Sequence, residues 1–129
     1  MEIKIGTHYT ASVTVDDKNT ASAVGSGLVD VFATPMMIAL MELAASECIK
    51  PFLDEGQVSV GTMVNVSHVS ATPVGMKVFA TAEVTETQGR RVEFKVCMRD
   101  EAGSIGEGTH TRFIVETEKF MGKANLKIK

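Results

Sequence analysis

The chain has 129 residues and a formal net charge of −3, with 44% hydrophobic and 22% charged residues. That length suits one domain, residues 1–129, and the apolar content excludes a disordered chain. The slight acidity lacks the positive field that phosphate backbones select, so nucleic acid is not an expected partner.

Cys48 and Cys97 form no CxxC pair, and the three histidines are scattered. Neither a disulfide framework nor a structural zinc site is expected, and both cysteines read as small buried or half-buried residues. The opening MEIKIGTHYT holds no apolar stretch of the kind a signal peptide needs. The most apolar segment, Phe32 to Ile49, contains Pro35, Glu42 and Glu47. It is too short and too charged to span a bilayer, so a cytoplasmic protein without membrane contact is expected.

In chain order, His8 to Val15 alternates, with Tyr9, Ala11, Val13 and Val15 on one face, which predicts a strand. A polar turn follows at residues 16–19, and residues 20–24 read as a second short strand. Residues 25–30 read as a flexible segment. Thr34-Pro35 predicts a helix start, with Thr34 as N-cap and Pro35 at the first helical position. The helix should run to Phe52 or Asp54. Its apolar residues Met37, Leu40, Met41, Ala44, Ala45, Cys48 and Ile49 cover most of its girth, so it should be buried on several sides. After Gly56 everything reads as strand: 58–70, 76–86, 91–99 and 105–117, joined by short glycine-containing turns into an antiparallel meander. One long apolar helix and four long strands require a curved sheet wrapped around the helix, an α+β architecture.

Three residues carry the candidate chemistry. On the 58–70 strand a period of two places Val58, Val60, Thr62, Val64, Val66 and His68 on one core-facing row. An imidazole ending such a row needs a partner, and a backbone carbonyl would suffice. Gly61 interrupts the other face and marks a bulge or a close backbone approach that could leave an N–H free for a ligand oxygen. A bulge would also shift the facing of His68. Glu42 has Ile38, Ala45 and Ile49 as helical neighbours. It either snorkels toward Ser46 and Lys50 or orients His68 in acid–base chemistry.

Together, the spacing Thr34-x7-Glu42-x25-His68 and the segments TPMMIALMELA, VGTMVNVSH, TPVGMKV, GRRVEF and IGEGTHTRFIV resemble the fluoroacetyl-CoA thioesterase-like branch of the hot-dog fold. The resemblance runs from about Thr7 to Lys123. It implies a curved antiparallel sheet around one central helix, and a homodimer or higher oligomer with sites at the subunit interface. It implies hydrolysis of an acyl-CoA thioester with Thr34, Glu42 and His68 as catalytic set and a Gly61 N–H in the oxyanion hole. No cofactor is implied, since coenzyme A belongs to the substrate. Attack by water and attack by Glu42 through an acyl-enzyme both remain open. Arg112 matches a position where an arginine pairs with coenzyme A phosphates; the alternative is a solvated strand arginine. The segment from Gly25 to Phe32 is expected to shape the acyl pocket, with Leu28 and Phe32 as substrate-contacting residues, so the acyl group is open. The lysine-rich tail reads as a solvated terminus. Two alternatives stand beside hydrolysis: a non-catalytic acyl-thioester binding module and a hot-dog dehydratase or hydratase.

Overall fold

The computed structural model describes residues 2–128. Five strands, β1 (His8–Thr14), β2 (Gln57–Val66), β3 (Lys77–Gln88), β4 (Arg91–Asp100) and β5 (Gly103–Glu116), form one antiparallel sheet in the order β1-β3-β4-β5-β2. The helix α2 (Thr34–Ile49) packs against β1, β3 and β4, and its last turn tightens into a 3-10 segment, Lys50–Phe52, where Pro51 has no N–H to continue the ladder. This is the expected helix wrapped by a sheet.

The core follows from the alternation of β3 and β4. Val78, Ala80, Ala82 and Val84 face inward from β3, and Val92, Phe94, Val96 and Met98 from β4. Opposite them lie Met37, Met41, Ala44, Ala45 and Ile49 of α2, all fully buried. The alanines on both surfaces leave room for the helix to approach the sheet, and the methionines fill the remaining space.

Four expectations are corrected. Residues 20–24 are not a strand. Thr20 caps the single-turn helix α1 (Ala21–Val24), its Oγ1 accepting from the Ala23 N–H at 3.3 Å, and Gly25 closes the turn at φ 82°. The 58–70 strand ends at Val66, so His68 lies beyond β2. The expected row of Val58 to His68 is also broken. Gly61 pairs with Arg112 and Met63 with Thr111, which leaves Thr62 as an extra residue. Gly61, Val64 and Val66 therefore share the face of Arg112, His110 and Gly108, while Val58 and Val60 stand on the opposite face with Val115 and Phe113. Finally, the chain after Glu116 is the helix α3 (Thr117–Asn125), with Glu118 in its first turn and Lys123 in its last, a charge placement that suits the helix dipole. It buries none of its residues.

β2 is an edge of the sheet, and it exposes Val58, Met63 and Val64; Leu43 on the outer side of α2 is exposed as well. Among the described residues no helix is long and apolar enough to cross a membrane.

Candidate active site

Thr34 opens α2 but does not cap it. Ala33 is the N-cap, with no side-chain cap bond, and Thr34 is the first helical residue. Its hydroxyl instead lies 2.7 Å from His68 Nδ1. The backbone on both sides of His68 is pinned to β5, Ser67 N–H donating to Glu107 O at 2.9 Å and Val69 N–H to Ile105 O at 2.7 Å. His68 is half-buried. Burial lowers its pKa below the ordinary histidine value, with the Ser70 backbone partly opposing. The ring is therefore neutral near pH 7. Its Nε2 is buried and has no hydrogen-bond partner among the described residues. In the tautomer whose Nδ1–H donates to Thr34 Oγ1, the Nε2 lone pair is free to take a proton.

Thr34 and His68 line an open cleft of about 360 Å³ together with Val29, Phe32 and Ser70. Two ties hold its walls. Phe32 N–H donates to Thr72 O at 2.9 Å, and Thr72 Oγ1 donates to Asp100 Oδ2 at 2.7 Å. Burial alone would raise the Asp100 pKa, but bonds from Thr72 and from the Ala102 and Gly103 N–H groups outweigh it and hold the carboxyl below its ordinary value. Phe32 is 1% exposed and belongs to the core, whereas Leu28, on the loop beside the cleft, is 98% exposed.

Glu42 sits two turns further along α2, about 12 Å from Thr34 along the helix axis at 1.5 Å per residue. It does not snorkel toward Ser46 and Lys50; Lys50 pairs with Glu47 at 3.7 Å. Nor does it share a bond with His68 of the same chain. Its Oε2 lies 3.3 Å from Arg112 Nη1 and 3.8 Å from His110 Nε2. The helical rise explains the correction, because the partner of Thr34 is out of reach of Glu42. Burial lowers the Arg112 pKa and Glu42 opposes this, so the guanidinium stays charged.

Arg112 is only 6% exposed. Its Nε donates to Ser59 Oγ at 2.8 Å and its Nη2 to Ser59 O at 2.9 Å. The side chain is not solvated, and four of its five N–H donors are engaged by Ser59, Glu42 and His110. Gly61 completes the cluster by what it lacks. A Cβ at this position would collide with Glu42 Oε2 and lie 3.0 Å from His110 Cε1. Glycine thus provides the space that the carboxylate occupies.

His110, Ser59 and the Thr72–Asp100 tie escaped the sequence reading. His110 stands two residues before Arg112 on a strand, which places both on one face. That spacing was the available signal. Cys48 is buried, and burial pushes its thiol up to about 11, which removes it as a nucleophile. Cys97 is exposed, contrary to expectation, because it faces away from α2 on β4. Among the described residues no group of three or more His, Cys, Asp or Glu is placed to hold a metal ion.

The sequence matches the family model described as fluoroacetyl-CoA-specific thioesterase over residues 15–118. It is 42% identical over 98 residues to the fluoroacetyl-CoA thioesterase of Streptantibioticus cattleyicolor, covering 76% of this chain and 70% of that protein. A solved structure of a fluoroacetyl-CoA thioesterase is similar over 100% of both chains, with 33% identity and a TM-score of 0.95. A thioesterase superfamily member from Thermus thermophilus is similar over 98% of this chain and 94% of that one, with 32% identity and a TM-score of 0.88.

Proposed function

This chain belongs to the fluoroacetyl-CoA-specific thioesterase family, and we propose that it hydrolyses an acyl-CoA thioester at a site completed by two copies of the chain. The fold is the hot-dog fold, and the chemistry is thioester hydrolysis. The observation that carries the residue assignment is the idle, buried Nε2 of His68, held in place by Thr34 at the cleft.

Within one chain the proposed catalytic set is split. Thr34 and His68 lie at the head of α2, and Glu42 and Gly61 lie about 12 Å further along. A second copy related by a two-fold axis brings the Glu42 half of one chain to the Thr34 half of the other. The uncovered β2 edge and the exposed Val58, Met63 and Leu43 support such a homodimer, since an unpaired apolar edge needs covering.

In the composite site the carbonyl carbon of the thioester lies between the two halves. In attack by water, His68 Nε2 takes a proton from the water whose oxygen adds to that carbon; in attack by Glu42, a carboxylate oxygen adds instead, the thiolate leaves to give a mixed anhydride, and His68 takes the proton of the water that then hydrolyses it. Glu42 acts as the partner base of His68 or as the nucleophile, its Oε2 held 3.3 Å from Arg112 Nη1. The developing oxyanion accepts the Gly61 N–H. In the water route the C–S bond then breaks, and the thiolate of coenzyme A takes the proton held by His68. The loop carrying Leu28 faces the acyl group, with Phe32 beneath it, and the acyl preference lies there.

The test is release of free thiol from a panel of acyl-CoAs that includes fluoroacetyl-, acetyl-, branched and aryl thioesters. The reading expects release from at least one member by a species that sediments as a dimer. A folded protein that releases thiol from none of them contradicts it.

A further inference from the structure

One buried group at the Glu42 cluster is left without a role by the thioesterase reading. His110 is 1% exposed, and its ring stacks on Phe94 with centroids 6.0 Å apart. Its Nδ1 lies 2.7 Å from the Met63 carbonyl oxygen, and its Nε2 lies 3.2 Å from Arg112 Nη1. The donor and acceptor roles are forced. A carbonyl only accepts, so Nδ1 carries the hydrogen; a guanidinium only donates, so Nε2 offers its lone pair. The ring is neutral, in one tautomer, and used at both ends.

Arg112 Nη1 has two hydrogens and two acceptors, Glu42 Oε2 and His110 Nε2. The Nε and Nη2 groups are fixed by Ser59. Without the His110 lone pair, one Nη1 hydrogen would be buried and unpaired, and the guanidinium would turn to seek another partner. The Glu42 carboxylate would then follow it. The other end of the ring grips Met63, the residue just after the Thr62 bulge, whose position sets where Gly61 stands.

We propose that His110 is a positioning residue, which locks the Arg112 guanidinium and the Glu42 carboxylate through Nε2 while its Nδ1–H fixes the β2 bulge beside Gly61. The proposal rests on the reading that Glu42 serves hydrolysis. Burial, the first cause, lowers the His110 pKa, in agreement with a neutral ring. The charged groups around it are Arg112 on β5, Glu42 on α2 and Glu93 on β4.

Two substitutions separate the two ends of the ring. In His110→Gln the amide oxygen replaces the Nε2 acceptor; in His110→Asn the amide nitrogen replaces the Nδ1 donor and nothing reaches Arg112. With the acyl-CoA that the wild type cleaves, His110→Asn should lose about 10- to 100-fold in kcat with little change in KM, the usual scale for a misplaced catalytic group. His110→Gln should recover most of that loss. Full kcat in His110→Asn, with Glu42→Gln impaired, overturns the role of His110 alone. Full kcat in Glu42→Gln overturns the reading beneath it. Should either histidine variant fail to fold, the ring-nitrogen chemical shifts of His110 in the wild-type protein at pH 7 decide. A neutral ring protonated at Nδ1 supports the proposal, and an imidazolium or an Nε2–H ring overturns it.

Discussion

At the head of α2 a single hydrogen bond, Thr34 Oγ1 to His68 Nδ1 at 2.7 Å, leaves His68 Nε2 without a partner. Two turns further on, Glu42 Oε2, Arg112, His110 Nε2 and Ser59 are tied to one another. The first region is polar and unfinished, and the second is interlocked. An unsatisfied buried nitrogen costs free energy in the resting protein, and it is a group that a reacting molecule can use. An interlocked cluster serves a different purpose. It holds one carboxylate as a fixed anion whose position depends on several neighbours.

The contrast breaks most sharply at the two titratable groups. His68→Ala removes the idle nitrogen and should lower turnover by about 10²–10⁴-fold, the contribution of a positioned acid–base group. Glu42→Gln keeps the shape of the interlocked cluster but removes its anion, and it should lower kcat far more than it changes acyl-CoA affinity. Steady-state hydrolysis with binding measured separately checks both. Near-normal turnover in either variant would remove that residue from the mechanism.

A smaller effect sharpens the role of Thr34. Because Ala33, not Thr34, is the N-cap, Thr34→Ala should change stability by less than about 1 kcal/mol, the typical cost of losing a cap. Turnover should still fall, because His68 loses the side-chain bond that holds its Nδ1, and Thr34→Ser should restore it. Thermal unfolding and kcat measured on the same three proteins separate the two contributions.

The smallest effect is on stability against pH. His68 and His110 both bind protons less tightly in the fold than outside it, chiefly through burial. The unfolded chain therefore holds more protons just below the ordinary histidine value of 6.5, and stability declines as pH falls through that range. Asp100, whose pKa is also lowered, adds a further loss below its ordinary value of 3.8. A melting temperature that stays flat from pH 7 to pH 5 would contradict the first step.

The sheet was legible because β3 and β4 alternate cleanly and glycine turns separate the strands that follow the helix. The helix was legible from Thr34-Pro35 and from the apolar girth that follows. What failed was local. The Thr62 bulge reverses the facing of one half of β2 against the other, and a strict period of two carries no sign of where an extra residue falls. Residues 20–24 read as a strand in the sequence because one helical turn is too short to show a helical period. In the site, the resemblance names Thr34, Glu42 and His68 as one set, but the Thr34–His68 contact is not legible in the sequence. The pairing of Glu42 with His68 was not found in the chain, because helical rise separates them. The actual partners, Arg112 and His110, come from β5, about seventy residues away in sequence. Such a contact depends on strand order, which periodicity does not encode.

The central claim is that Thr34 and His68 of one copy work with Glu42 of another, and subunit mixing tests it most directly. His68→Ala and Glu42→Gln, each nearly inactive alone, are co-expressed or refolded together, and the mixed dimer is verified by native mass spectrometry. If the site is composite, each mixed dimer carries one site with both residues intact. Random pairing should then restore about a quarter of wild-type activity. If mixed dimers form and activity stays at the sum of the two inactive parents, the site lies within one chain and the account is wrong.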